Sequence, residues 1–376
     1  MLPSPLPVRG LRCVACGART EDRGILNTSM KKTLLLALLF LPVLTAVAED
    51  QYQPLPSPVT NNAVAVVKID GQLLVYSFMG LGPAKTWKAV SNVAYALNLK
   101  YDKWTAIRPA PGSGRLGTVA VGAAQQVFLF GGYVVDPSGL EQIVPDLSIY
   151  DPTGLRWHNG PDMPVPVRDA VAGAYRDRYI YVVGGLSQAG PTNQVQIYDA
   201  EEKKWLQGTP SPGAPVFGHA GNVTGDTIVY VDGGARSPTP GPLAYVASDE
   251  CWMGKIDHRD PRKIEWKKLP AHPGAARYRI AAGGSEKEQR IYFAGGSDTV
   301  YDYTGISPSG KLAEPSPVIF ALNLKNDSWE TVKENNPKPT MDHHGLIVTS
   351  DGLVVIGGMA VDQKVVGTVE ILPTGN

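Results

Sequence analysis

Short runs of alternating apolar and polar residues recur along the chain at a spacing of roughly 50 residues. The clearest copy is 168–205. A small-residue segment from Asp169 to Tyr175 precedes the polar turn Arg176-Asp177-Arg178. Tyr179-Ile-Tyr-Val-Val183 then ends at Gly184-Gly185, Gln194-Val-Gln-Ile-Tyr198-Asp199 follows, and a last turn delivers Trp205. Runs of this length between Gly, Asp and Pro predict four short antiparallel strands. Six segments open such a unit with a polar residue and then turn small and apolar. They begin at Asn62, Arg115, Arg168, His219, Arg279 and His344. Five of the six lead, 13 to 16 residues later, to Gly131-Gly132, Gly184-Gly185, Gly233-Gly234, Gly295-Gly296 and Gly357-Gly358. The first unit, Leu73-Leu-Val-Tyr-Ser-Phe-Met-Gly80, lacks the pair but keeps the last two strands and Trp104.

Repeated four-strand units of this size predict a β-propeller. The chain ends on Thr368-Val-Glu-Ile-Leu372, a third strand with no fourth. Near the other end, Tyr52-Gln-Pro-Leu-Pro56 is similar to Trp266-Lys-Lys-Leu-Pro270. The expectation is an all-β, six-bladed propeller in which an N-terminal strand completes the last blade and leaves no open edge. The five Gly-Gly pairs, Tyr150-Asp151, Tyr198-Asp199 and the series Trp104, Trp157, Trp205, Trp266 and Trp329 resemble the Kelch family over about 51–373. Tyr95-Ala-Leu-Asn-Leu-Lys-Tyr-Asp-Lys-Trp104 nearly repeats as Phe320-Ala-Leu-Asn-Leu-Lys-Asn-Asp-Ser-Trp329. The resemblance implies a Kelch-type propeller over 49–376 as one domain.

Length alone suggests two or three domains, and the repeat overrules it. The 41 Gly and 32 Pro sit between apolar strands and fit a turn-rich fold rather than disorder. Met30-Lys31-Lys32, the apolar Thr33–Leu41 and Ala46-Val47-Ala48 read as a secretory signal peptide over 30–48, cut after Ala48. Residues 1–29 then read as an upstream mis-start, which removes the Cys13-Val-Ala-Cys16 pair from consideration. The mature chain keeps only Cys251, so no internal disulfide is expected. The expected location is periplasmic or secreted, with no stable membrane anchor. The 35 basic and 35 acidic residues balance, and no basic run interleaved with aromatics suggests nucleic acid.

In a propeller the first strand of each blade lines the central channel. Aligned on their openings, Asn62, Arg115, Arg168, His219, Arg279 and His344 are expected around one mouth. With no aligned carboxylate, they form a positive rim. Guanidinium forks suit carboxylates, phosphates and sulfates. Kelch resemblance implies the same use, since ligand-binding members commonly grip acidic groups there. Arginine at this position also bridges neighbouring blades structurally, and that alternative stays open. Long loops 81–92, 133–145, 235–250 and 297–315 leave on the same face. Their Trp87, Tyr301 and Tyr303 are candidate packing surfaces for a sugar or peptide.

The signal, the six-blade plan and Gly80-Leu-Gly-Pro-Ala-Lys-Thr-Trp87 resemble exported bacterial sialic acid mutarotases (N-acetylneuraminate epimerases). That resemblance implies an acidic-sugar ligand and, in blade four, an acidic residue beside the glycine with an arginine after it. Here only Arg236, with Asp232, can stand in. Galactose-oxidase chemistry is not expected, because Cys251 and the scattered histidines do not form its copper set. No catalytic residue is assigned, and neither cofactor nor metal is expected. The reading is a monomeric exported propeller binding a small anionic ligand, such as an acidic sugar, with possible mutarotase activity. The alternative is a non-catalytic propeller binding a protein or an acidic peptide.

Overall fold

The computed structural model describes residues 51–241 and 243–375. The expectations for 1–29 and 30–48 lie outside the described residues. Among those residues, six four-stranded antiparallel sheets carry most of the regular structure; numbered in chain order, sheet 1 runs from Ala63–Ile69 to Lys103–Ile107, sheet 2 from Val119–Ala123 to Arg156–Asn159, sheet 4 from Ala220–Thr224 to Ile264–Lys268 and sheet 5 from Ala281–Ser285 to Ser328–Lys333. The third is typical: Val171–Tyr175, Tyr179–Val183, Val195–Asp199 and Lys204–Gly208 pair in chain order. The sixth contains Ile347–Val348, Leu353–Ile356 and Val369–Leu372. Its fourth strand is Gln51–Tyr52, with Gln51 opposite Glu370 and Tyr52 opposite Val369. Among the described residues no helix is long and apolar enough to cross a membrane.

Strand alternation places one face of each sheet against the next. Val121, Phe128 and Phe130 of sheet 2 pack on Ile180 and Val182 of sheet 3. Val64, Val75 and Leu97 of sheet 1 pack on Ile347, Val354 and Ile356 of sheet 6. Each such aliphatic side chain, fully buried, stabilises by about 1.5–3 kcal/mol. The tryptophans act as staples. Trp157 donates to Arg108 O, Trp205 to Pro161 O, Trp266 to Thr209 O and Trp329 to Pro270 O, each in the segment leaving the preceding sheet. Trp104 donates to Gln53 O, just past the fourth strand of sheet 6. Trp157 and Trp205 pair across their sheets with Tyr150 and Tyr198. Tyr52, opposite Val369, holds in sheet 6 the place that Gly208, opposite Val195, holds in sheet 3.

The glycine pairs mark where one sheet meets the next. In five of these turns the second residue donates its N–H to the chain entering the following sheet: Gly80 to Arg115 O, Gly132 to Val167 O, Gly185 to Val216 O, Gly233 to Arg277 O and Gly358 to Val59 O. A Cβ on Gly131 would lie 2.1 Å from Val167 O, which is why glycine stands there. One pair differs from the sequence reading. In sheet 4 the two left-handed residues are Asp232 and Gly233, and Gly234 is the first residue of a short strand. In sheet 1, Met79 and Gly80 take the left-handed pair, so the turn survives without two glycines.

Candidate functional site

The first strands of all six sheets surround one central cavity of about 270 Å³, lined mainly by Val, Ala and Gly. Above it, the segments entering the sheets form a belt. Asn61, Gly117, Asp169, Gly218, Arg279 and Asp342 all have left-handed backbone, with φ between 53° and 69°. Backbone bonds link their neighbours: Asp169 N to Gly117 O, Gly218 N to Asp169 O, Arg279 N to Gly218 O, His343 N to Arg279 O and Asn61 N to Asp342 O. The remaining link uses a side chain, as Gly117 N donates to Asn61 Oδ1 at 2.5 Å.

This geometry corrects the register expected from sequence. The six chosen residues do not occupy equivalent positions. Arg279 belongs to the belt, whereas Arg168 precedes it by one residue and Arg115 by two. Asn62 and His219 follow it by one residue and His344 by two. The entering segments carry similar residue types at different heights, so alignment on those types mixes the heights.

The expected positive rim is also corrected, because carboxylates sit inside it. Arg279 is fully buried. Its Nε and Nη2 donate to Asp169 at 3.0 and 3.2 Å, and its Nη1 donates to Asp342 Oδ1 at 2.7 Å. Asp169 Oδ2 also accepts from Arg168 Nη1 at 2.8 Å, and Asp342 accepts from Thr60 and Asn61. Arg168 Nη2 donates to Glu141 at 2.8 Å, with its guanidinium 4.2 Å from the Tyr133 ring centre. Arg115 turns into its own sheet, bonding Gly131 O, Asp146 and Ser148. Burial works against the charge of Asp169, yet Arg279 and Arg168 hold its carboxyl well below the usual carboxylate range.

The histidines do not add positive charge either. Burial pushes His219 and His343 down to about 4 and lowers His344. His219 Nε2 meets Val183 O at 3.0 Å, and His344 Nε2 lies 3.5 Å from Asp169 Oδ1. Asn62 is buried and donates to Ser77 Oγ and Ile356 O. Asp232 is buried, accepting from Arg277 N at 2.9 Å and meeting His272 Nε2 at 2.7 Å, and burial raises its carboxyl. Arg236 is exposed and donates to Ala189 O at 2.9 Å.

The loop after the second strand of sheet 5 lies over the belt. Tyr301 is buried against Tyr278, with the Arg279 guanidinium 5.5 Å from its ring centre. Tyr303 packs on Leu81, Leu116 and Tyr133. Lys85 Nζ donates to Thr304 O at 2.9 Å, and Gln363 Nε2 donates to Ala313 O at 2.8 Å, tying the loops of sheets 1 and 6 to this one. Tyr301 is therefore a structural roof rather than an open packing surface. Trp87 remains exposed, as do Leu140, Ile306, Leu312 and Val361 on the same face. Sequence reasoning missed Asn61 and Glu141. Asn61 and Asp342 carry a signal in their backbone, since Asn and Asp are enriched in left-handed backbone.

A model of the KLHDC2/KLHL20/DRC7 Kelch-repeats domain matches residues 82–296. Beta-scruin of Limulus polyphemus is 26% identical over 199 residues, covering 50% of this chain and 20% of that protein. Kelch-like protein terF of Aspergillus terreus is 27% identical over 215 residues, covering 54% and 46%. The chain thus spans less than half the length of these two relatives. N-acetylneuraminate epimerase of Salmonella arizonae is 23% identical over 313 residues, covering 72% and 75%. The solved structure of YjhT matches with a TM-score of 0.68 at 18% identity, covering 86% of this chain and 98% of that one, which shows a shared fold. With more than half its length matched by the family model and its sheets, tryptophan staples and glycine turns repeating in register, the chain belongs to the Kelch-repeat family.

Proposed function

We propose that this is an exported, monomeric six-bladed Kelch propeller whose loop face binds a protein or peptide and performs no catalysis. In this reading the six sheets are the blades of one ring, and Gln51–Tyr52 closes it. The observation that carries the functional part is the engagement of Arg279 by Asp169 and Asp342. A guanidinium already holding two buried carboxylates has no fork to offer a sugar acid. The roof formed by Tyr301 and Tyr303 supports the same reading, as does the burial of Asp232. The exposed Trp87, Ile306, Leu312 and Val361 lie on loops that are tied together, and apolar groups gathered this way suit a partner surface.

Selection of displayed peptides on the immobilised protein tests the proposal. Enriched peptides should lose binding to Trp87→Ala and Leu312→Ser variants. If no peptide is enriched while sugar acids raise the melting temperature, the proposal fails. A second reading, acidic-sugar binding with mutarotation, is favoured by one observation: the N-acetylneuraminate epimerase relative aligns over most of both chains.

A further inference from the structure

The short hairpin of Tyr133–Val135 and Glu141–Ile143 is backbone-bonded to the framework through its first strand, where Tyr133 and Leu116 exchange both their N–H···O bonds. Across the hairpin Asp136 N donates to Leu140 O and Val144 N to Gly132 O. Strand alternation then turns the N–H and C=O of Glu141 and Ile143 outward, away from the first strand. Among the described residues, no hydrogen bond reaches those four groups, and both residues are half-buried. They border a groove of about 620 Å³ between the hairpin and the loop of sheet 3. Pro164, Val165 and Pro166 line it as well. The prolines have no N–H to give, and both backbone groups of Val165 are bonded to the Gln196 side chain. On the far wall Ser187 Oγ donates to Gly190 O, and Ala189 O accepts from Arg236. The free strand edge is therefore the part of the groove built to pair with another backbone. Among the described residues lining the groove, only Glu141 is charged, and Arg168 neutralises it at 2.8 Å.

We propose that this edge takes up an extended segment of a partner protein as an added antiparallel strand, and that the segment is uncharged with apolar residues at alternate positions. Residues placed opposite Glu141 and Ile143 would exchange both backbone bonds with them, giving each free N–H and C=O its partner. Their side chains fall on the face where Ile143 packs with Leu116 and Tyr133, which calls for apolar groups. The residue between them, opposite the exposed Gln142, faces solvent. A groove whose one carboxylate is already neutralised offers no counter-charge to a charged segment, so charge complementarity selects a neutral one. The proposal deepens the loop-face reading by naming where and how the partner binds, and it rests on that reading only for the existence of a partner.

The test uses the full chain, with the peptide acetyl-Ser-Val-Thr-Val-Ser-amide at millimolar concentration as the probe. Hydrogen exchange at the Glu141 and Ile143 amides, read by NMR, should slow at least tenfold, while Gln142, which faces across the hairpin, should not change. Ile143→Pro removes one outward N–H and no bond across the hairpin, and should weaken binding at least tenfold. Ala189→Trp narrows the groove from the far wall without touching the hairpin, and serves if the first variant folds poorly. The probe N-methylated at both valines should bind at least tenfold more weakly, as should the probe with aspartate in place of both valines. No protection of Glu141 and Ile143 by the probe, binding unchanged by both protein substitutions, or equal binding of the N-methylated peptide would overturn the proposal. Protection that grows with protein concentration in the absence of peptide would also overturn it, because the occupant would then be a second copy of this chain. Protection by the probe with failed peptide selection would count only against the loop-face reading. Selected peptides that leave Glu141 and Ile143 unprotected would count only against this edge.

Discussion

Replacing Arg279 with methionine probes the belt most sharply. The side chain is fully buried and makes three charge-assisted bonds to two carboxylates. After the change Asp169 keeps Arg168, but Asp342 keeps only the neutral donors of Thr60 and Asn61. Removing one partner of a buried ion pair costs about 3–5 kcal/mol, because the other charge is left without compensation. Retained donors place the expected loss near 3 kcal/mol, a large part of the roughly 5–15 kcal/mol that holds a domain folded. Urea unfolding should show a lower midpoint with an unchanged slope. Arg279→Lys keeps the charge but not the fork and should fall between the two. A loss below about 1 kcal/mol in a normally folded Arg279→Met variant would refute the reasoning, and the guanidinium would then be free to serve a ligand.

Asn61→Gly keeps the left-handed backbone but removes the bonds to Gly117 N and Asp342, so unfolding free energy should fall by about 2–4 kcal/mol. A loss under about 0.5 kcal/mol in the same urea assay would show that the junction does not need the side chain. His219 and His343 are held neutral with folded values near 4, below the unfolded value near 6.5. Between pH 6.5 and 4 the unfolded chain binds protons that the folded chain refuses, so stability falls as pH falls, by about 1.4 kcal/mol per pH unit for each histidine. His219→Gln should flatten that slope by about one proton, and urea midpoints that stay level from pH 7 to 4.5 would contradict the assignment. Deleting 51–57 removes the Gln51–Tyr52 pairing, the Leu55 N to Gly367 O bond and the Gln53 acceptor of Trp104. The buried Leu55 alone sets a loss of about 2 kcal/mol or more, and a deletion variant that melts like the parent would sink the closure.

The sheets were legible because strand periodicity and side-chain type agree. Tyr, Ile and Val fill Tyr179–Val183, and Trp205 falls where its indole reaches Pro161 O of the preceding segment. The mouth was less legible. Arg115, Arg168 and Arg279 look alike in sequence, yet one turns into its sheet, one reaches outward to a hairpin and one crosses the belt. A shift of one residue reverses the side a strand residue faces, so residue type alone cannot fix the height. Backbone chemistry was the better guide. Asn61, Gly117, Asp169, Gly218 and Asp342 are the residue types that accept positive φ, and they mark the belt in five of six sheets. Glu141 had no local signature, because it meets Arg168 across 27 residues through a hairpin whose pairing is set by tertiary packing.

In the proposed reading the belt is framework and the loop face binds without catalysis. Interconversion of N-acetylneuraminate anomers, followed by NMR with the purified chain, tests this most directly. The predicted result is the rate of buffer alone at every protein concentration. Acceleration that rises with protein, saturates with sugar and disappears in Arg168→Ala or Arg236→Ala would contradict it.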